Sequence, residues 1–332
     1  MSSSDVTAIR AAGGGSPAGL RAGSQLLHRP ERLGALDLVR RLGAVQAQDL
    51  RAFPLALAAR TGDPGSLDGL VRAWLMRGTL HLVPAEDVGW MRDLLAPRGA
   101  AGSRRRLAQL GFDEAATDRA VGEVARALGD GPLTRAEVAA LLERAGLPCT
   151  GQAPVHVLGA AAARGVLVLG TADEILPAPP PGDVPRDPLA ELARRHLASR
   201  APAAPEDLAA WSGLPLGLAR TAWRSLDVVE LADGWALRGH VPDPVPGDLV
   251  RLLPMFDELL LGWRDRTPVV PAAHTRAVLP GGGILRATVT VGGRVAGTWT
   301  RGGVELFAPV PERALGAELR RVRSSADPGG SS

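Results

Sequence analysis

The chain has 332 residues, roughly twice the usual domain length, with 45% apolar residues, 22% charged residues and a formal charge of +3. One cysteine, Cys149, excludes an internal disulfide, a cysteine-based zinc site and an iron–sulfur cluster. There is no lysine, so all 38 basic residues are arginine; a phosphate-loop lysine, a pyridoxal Schiff base and a lysine nucleophile are excluded together.

Met1 to Gly23 is rich in Ser, Gly and Ala, lacks the apolar centre of a secretory signal, and reads as a disordered tail. In the next stretch, 24–100, Leu33, Leu36, Val39 and Leu42 form a helical face. Pro54 to Arg60 reads as a second helix and Leu67 to Arg72 as a third. Trp74 to Met76 and Thr79 to Val83 then read as a hairpin around Arg77–Gly78. That order of helices and hairpin is a winged-helix layout. Asp113 to Leu128 is an amphipathic helix within the next stretch, 101–180. There, Thr134 with Glu137 makes a capping box before a helix ending at Gly146, and Ala153 to Arg164 is a second helix. Val166 to Leu169 and Glu174 to Leu176 complete a second wing.

The layout recurs in 186–245. Pro205 to Trp211 and Leu216 to Leu226 are its helices, and Val228 to Leu231 and Trp235 to Leu237 flank an Asp233–Gly234 turn. From 250 to 323 the pattern turns to strands. Arg286 to Thr290 and Val295 to Thr300 alternate across Gly292–Gly293, and Pro311 to Arg323 is a closing helix. Ser324 to Ser332 reads as a second disordered tail. The expected class is α+β: three tandem winged helices followed by a small, barrel-like β unit, in a cytoplasmic protein without a membrane span.

The densest polar cluster in an apolar frame is Val45-Gln46-Ala47-Gln48-Asp49. On a helix the two glutamines stand about 200° apart; on an extended segment they share a side. The Gly43 and Pro54 that bracket the motif favour an extended linker. Two amides converging on one point can hold a water, although they make no strong base. That suits a reaction whose leaving group is already activated and needs only a placed nucleophile. Two glutamines that merely bond the backbone of a loop are the alternative.

Gly43-Ala44-Val45-Gln46-Ala47-Gln48-Asp49, followed by Val71-Arg72-Ala73-Trp74-Leu75-Met76-Arg77-Gly78-Thr79-Leu80-His81-Leu82-Val83, resembles the bacterial tandem winged-helix DNA glycosylases. That superfamily includes enzymes of azinomycin resistance and of interstrand-crosslink repair. Leu253-Pro254-Met255-Phe256-Asp257-Glu258-Leu259-Leu260-Leu261-Gly262-Trp263-Arg264-Asp265-Arg266 and Gly293-Arg294-Val295-Ala296-Gly297-Thr298-Trp299 extend the resemblance across about Leu26 to Arg323. The catalytic motif of the family is Gln–apolar–Gln in the resistance branch and Gln–apolar–Asp in the repair branch, so Gln46-Ala47-Gln48 favours the first. The resemblance implies hydrolysis of the bond between an N7-alkylated guanine and its sugar, with Gln46 and Gln48 placing water at the anomeric carbon. The missing lysine independently argues for an abasic-site product rather than a lyase cut.

Around this pair, His81 with Thr79 lies on the strand side opposite the leucines and is a candidate phosphate or water contact, or a strand-end His bonded to backbone. Asp49 lies beside the pair. Asp257 is the best carboxylate candidate, with Glu258, Asp265, Arg264 and Arg266 expected to form an internal salt-bridge network around it. Candidate DNA contacts are Arg72 and Arg77, the run Arg104-Arg105-Arg106, and Arg294 at a hairpin tip that enters DNA; solvated faces or pairs with Glu86 and Asp87 are the plainer alternatives. The six histidines have no metal-ligand spacing, and neither glycine run sits in a nucleotide-binding context. No cofactor or metal is expected, and the expected partner is double-stranded DNA carrying alkylated or crosslinked bases. Two readings from different classes follow: a monomeric DNA glycosylase, or a non-catalytic winged-helix DNA-binding protein such as a transcription regulator. A regulator has no use for two converging amides in a linker, and it usually dimerises on a symmetric site.

Overall fold

A computed structural model describes residues 15–29 and 33–326. In chain order the longer elements are α1 (Pro17–Ser24), α2 (Ala35–Leu42), β1 (Val45–Gln46), α3 (Phe53–Thr61), β2 (Leu70–Trp74), β3 (Leu80–Pro84), α4 (Val88–Gln109), α5 (Glu114–Leu128), α6 (Arg135–Arg144) and α7 (Ala153–Ala163). They continue with β4 (Leu167–Leu169), β5 (Ile175–Pro177), α8 (Pro188–Ser199), α9 (Pro205–Ser212), α10 (Leu216–Arg224), β6 (Val228–Leu231), β7 (Gly234–Leu237) and β8 (Val250–Leu253). The chain ends with α11 (Glu258–Leu261), α12 (Thr275–Val278), β9 (Thr288–Val291), β10 (Arg294–Thr300), β11 (Gly303–Leu306) and α13 (Glu312–Ala326).

These elements form two compact units. One takes in the described residues up to Ser66 and from Leu189 onward; the other is Leu67–Pro188. The expected first winged helix is therefore divided: α2 and α3 belong to one unit and its wing to the other. Leu67–Arg72, expected as a helix, instead enters the strand Leu70–Trp74, which pairs from Leu70↔Pro84 to Trp74↔Leu80 with β3 and at Arg72↔Leu169 with β4. A short apolar run suits helix or strand equally; hydrogen-bonding neighbours on both sides decide it here.

In the 67–188 unit the antiparallel order is β3, β2, β4, β5. Helices α5, α6 and α7 bury Val121, Val124, Val138, Leu142, Val157 and Leu158 in one apolar cluster with Leu167, Leu169 and Ile175 of the strands. Two caps give local reasons for these helices. Asp113 accepts the Ala116 N–H at the start of α5, and Thr134 with Glu137 forms the expected capping box of α6.

In the other unit β11, β10, β9 and β8 make an open antiparallel sheet, so the barrel-like expectation does not hold. Val250, Leu252 and Val289 pack beneath α13 through Leu315, Leu319 and Val322. The β6–β7 hairpin pairs Leu231 with Gly234, which moves its turn one residue earlier, to Ala232–Asp233. The N-terminal tail expectation fails from residue 15 onward. Ser16 caps α1, Pro17 pre-sets its first turn, and Ala18, Leu20 and Ala22 are buried. The small residues that suggest a tail form the packing face of a helix. Residues 1–14 and 327–332 lie outside the described residues, and 324–326 belong to α13.

Candidate active site

Helix α2 ends at Leu42, and Gly43 at φ +78° turns the chain out of the helix, a conformation that strains any residue with a side chain. The next residues are extended. Val45 and Ala47 are buried, Gln46 is half-buried and Gln48, where the chain bends away from the strand, is exposed. Asp49, partly exposed, accepts the Arg51 N–H at 2.8 Å and shapes the turn that leads to α3.

Beneath this strand lies a buried ionic network. The Gln46 N–H donates to Glu258 Oε1 at 2.9 Å. The other oxygen of Glu258 accepts from Arg200 Nη2 and from Trp211 Nε1, the latter at 3.1 Å. Arg200 also donates to the Leu42 carbonyl at 2.7 Å and stacks over the Trp211 ring at 4.2 Å. Next to Glu258, Asp257 receives Arg60 through two bonds of 2.9 Å and caps α11 through the Leu259 N–H. Arg60 continues to Gln25, whose amide reaches the Ser199 carbonyl at 2.7 Å. The side chains of Arg60, Asp257, Arg200 and Glu258 are at most 1% exposed. Forked and reciprocal partners of this kind are what a buried charge needs.

Asp257 is thus a clamp for Arg60 and not a base at the surface, because both its oxygens are taken and it meets no solvent. The expected local network with Arg264 and Arg266 is replaced by one with Arg60 and Arg200. Arg264 is exposed, Arg266 donates to the Leu260 carbonyl, and Asp265 accepts from Thr267. Sequence reasoning missed Arg60, Arg200, Gln25 and Trp211. The one visible signal is an arginine inside an apolar run, as at Leu57-Ala58-Ala59-Arg60.

The remaining candidates divide. His81 is buried in a strand covered on both faces, with Nδ1 3.0 Å from the Thr79 carbonyl, so it does not occupy the open strand side expected of it. Arg72 is 1% exposed and donates to the Gly170 carbonyl and to Asp173; that placement corrects the expected phosphate contact. Asp173 also takes Arg135, and this bond, with that of Arg72, outweighs partial burial and holds its carboxyl below the usual range. Arg77 is exposed at a turn, with φ +55°. Arg104, Arg105 and Arg106 are exposed near the end of α4, where Arg106 holds Gln152 at 2.7 Å. Arg294 is exposed, but its turn does not project. A Cβ added at Gly293 would stand 2.3 Å from the Ala18 carbonyl, so the turn lies against α1. Arg294 instead borders an open cleft with Ser16, Thr267 and Pro268.

Among the described residues no group of His, Cys, Asp and Glu could hold a metal, and no helix is long and apolar enough to cross a membrane. Gln46, anchored by its main chain to a buried carboxylate, and exposed Gln48 stand beside partly exposed Asp49. The family described as DNA glycosylase AlkZ-like matches residues 39–321, and the chain belongs to that family. The fold is similar to that of Streptomyces sahachiroi DNA glycosylase AlkZ, with a TM-score of 0.76, 24% identity, and coverage of 93% of this chain and 95% of that one. No curated protein sequence matches the chain.

Proposed function

We propose that the protein is a monofunctional DNA glycosylase that removes N7-alkylated purines from duplex DNA, bulky or crosslinked adducts among them. The observation that carries this is that Gln46, in a strand whose main chain is anchored to Glu258, and Gln48, two residues on, both reach solvent while Val45 and Ala47 are buried. In this reading the amide oxygens accept hydrogen bonds from one water and hold it at the anomeric carbon. Alkylation at N7 makes the base cationic. The bond from base to sugar breaks with its electrons going to the base, which neutralises that charge. Water adds to the sugar carbon and releases its proton to solvent. The leaving group needs no strong acid. With no lysine in the chain, no ε-amine can form a Schiff base with the sugar, and the product is an abasic site. The AlkZ-like family membership supports the same reading. Exposed Arg77, Arg104, Arg105 and Arg106 are proposed to meet phosphates. We take the protein to act as a monomer in the cytoplasm.

An excision assay tests the reading. Duplexes carrying N7-methylguanine, or an N7-guanine crosslink, are incubated with enzyme and then treated with alkali, which cleaves abasic sites. The wild type is expected to give breaks, and Gln46→Ala/Gln48→Ala to cut the rate by at least ~10²-fold, the size of losing a placed reactant. No breaks from the wild type on either duplex, with DNA binding intact, would turn the assignment to a non-catalytic DNA-binding protein.

A further inference from the structure

We infer that Glu258 is a positioning residue for the Gln46–Gln48 pair, setting where the pair stands by accepting the Gln46 main-chain N–H. Its consequence for rate rests on the glycosylase reading; the bond itself rests on geometry.

Strand β1 is two residues long, too short to position itself. The segment after it turns at once towards α3. Within its own unit, Glu258 gives the strand a side-chain anchor. Arg200 and Trp211 both occupy Oε2, which leaves Oε1 aimed at Gln46. The carboxylate has little freedom of its own, because Asp257, one residue earlier, is locked by the Arg60 fork and caps α11. Arg200 grips the same stretch a second time at the Leu42 carbonyl. One Arg–Glu pair therefore fixes the chain on both sides of Gly43–Val45. A bond from an N–H to a buried carboxylate is short and strong, and displacement of a reacting group by about 1 Å can cost ~10²-fold in rate.

The first measurement is amide hydrogen exchange on the wild type, resolved at single residues by NMR. The Gln46 amide is expected to exchange at least ~10-fold more slowly than that of exposed Gln48; equal rates overturn the inference without any variant. The second compares Glu258→Asp with Val289→Ala. Glu258→Asp keeps the charge opposite Arg200 but withdraws the acceptor by one methylene. Val289→Ala weakens the sheet core of the same unit, where Val289 is fully buried and not part of the Glu258 network. Glu258→Asp is expected to speed Gln46 exchange and lower kcat at least ~10-fold with KM within about twofold, while Val289→Ala holds kcat within about twofold. If kcat in both variants simply follows their loss of Tm, Glu258 is structural and the inference falls. If the wild type excises nothing, the glycosylase reading fails, and the exchange rates alone decide whether Glu258 holds Gln46.

Discussion

In the 67–188 unit the interior is mostly apolar, with Leu, Val, Ala and Ile joined by Phe112, Trp90, Met76 and Met91, and its buried guanidinium among the described residues, Arg72, is answered at a strand turn by Asp173, itself about one quarter exposed. In the other unit two Arg–carboxylate pairs lie fully inside, their carboxylates adjacent on the chain, and Glu258 of one pair accepts the Gln46 N–H. An apolar core is set by volume and tolerates repacking. A buried ionic core works only in one arrangement, since each group left unpaired is costly. On the proposed reading, the unit that carries the two amides contains the less tolerant kind.

The sharpest way to break that comparison is to remove one partner from each kind of core. Arg60→Ala strands Asp257 and is expected to cost about 3–5 kcal/mol in chemical denaturation. Leu142→Ala in the apolar core is expected to cost about 3 kcal/mol and to leave excision per folded molecule unchanged. If the Arg60 variant proves the milder of the two, the ionic core is not the demanding one.

A smaller effect comes from pH. Burial raises the Glu318 carboxyl, but Arg321, Arg251 and Arg29 around it win, and its folded-state pKa lies below the ordinary glutamate value. A depressed carboxylate pKa stabilises the fold above the unfolded value and loses that contribution as pH falls through the folded one. Tm is therefore expected to drop in the acid range below the ordinary glutamate pKa, and Glu318→Gln is expected to flatten that slope while lowering Tm at neutral pH. The smallest effect is expected at Arg77. Its left-handed φ strains any side chain, so Arg77→Gly should hold or raise stability by about 0.5 kcal/mol. The same variant should weaken DNA binding with a salt dependence shallower by about one charge. A loss of stability with unchanged salt dependence would remove Arg77 from the DNA surface.

The expected N-terminal tail and the expected DNA-entering hairpin fail together. Ala18 of α1 lies against Gly293, so the helix that replaces the tail covers the turn that carries Arg294. Composition could not reveal this, because small residues make either a loose chain or a close contact. Arg72 is misjudged for a related reason: an arginine flanking a strand reads as exposed until a partner 101 residues away closes over it.

The sequence by itself determined what is local: the helices with caps such as Thr134–Glu137, the strand pair across Gly292–Gly293, and the extended start of the Gln46-Ala47-Gln48 motif after Gly43. Each follows from periodicity, capping and turn chemistry within a few residues. Tertiary structure alone decided the division into two units, the strand at Leu70–Trp74, and the pairing of Asp257 with Arg60 and of Glu258 with Arg200, partners 197 and 58 residues apart. A buried charge takes whichever counter-charge the fold brings within hydrogen-bond reach, and spacing along the chain carries no information about that distance.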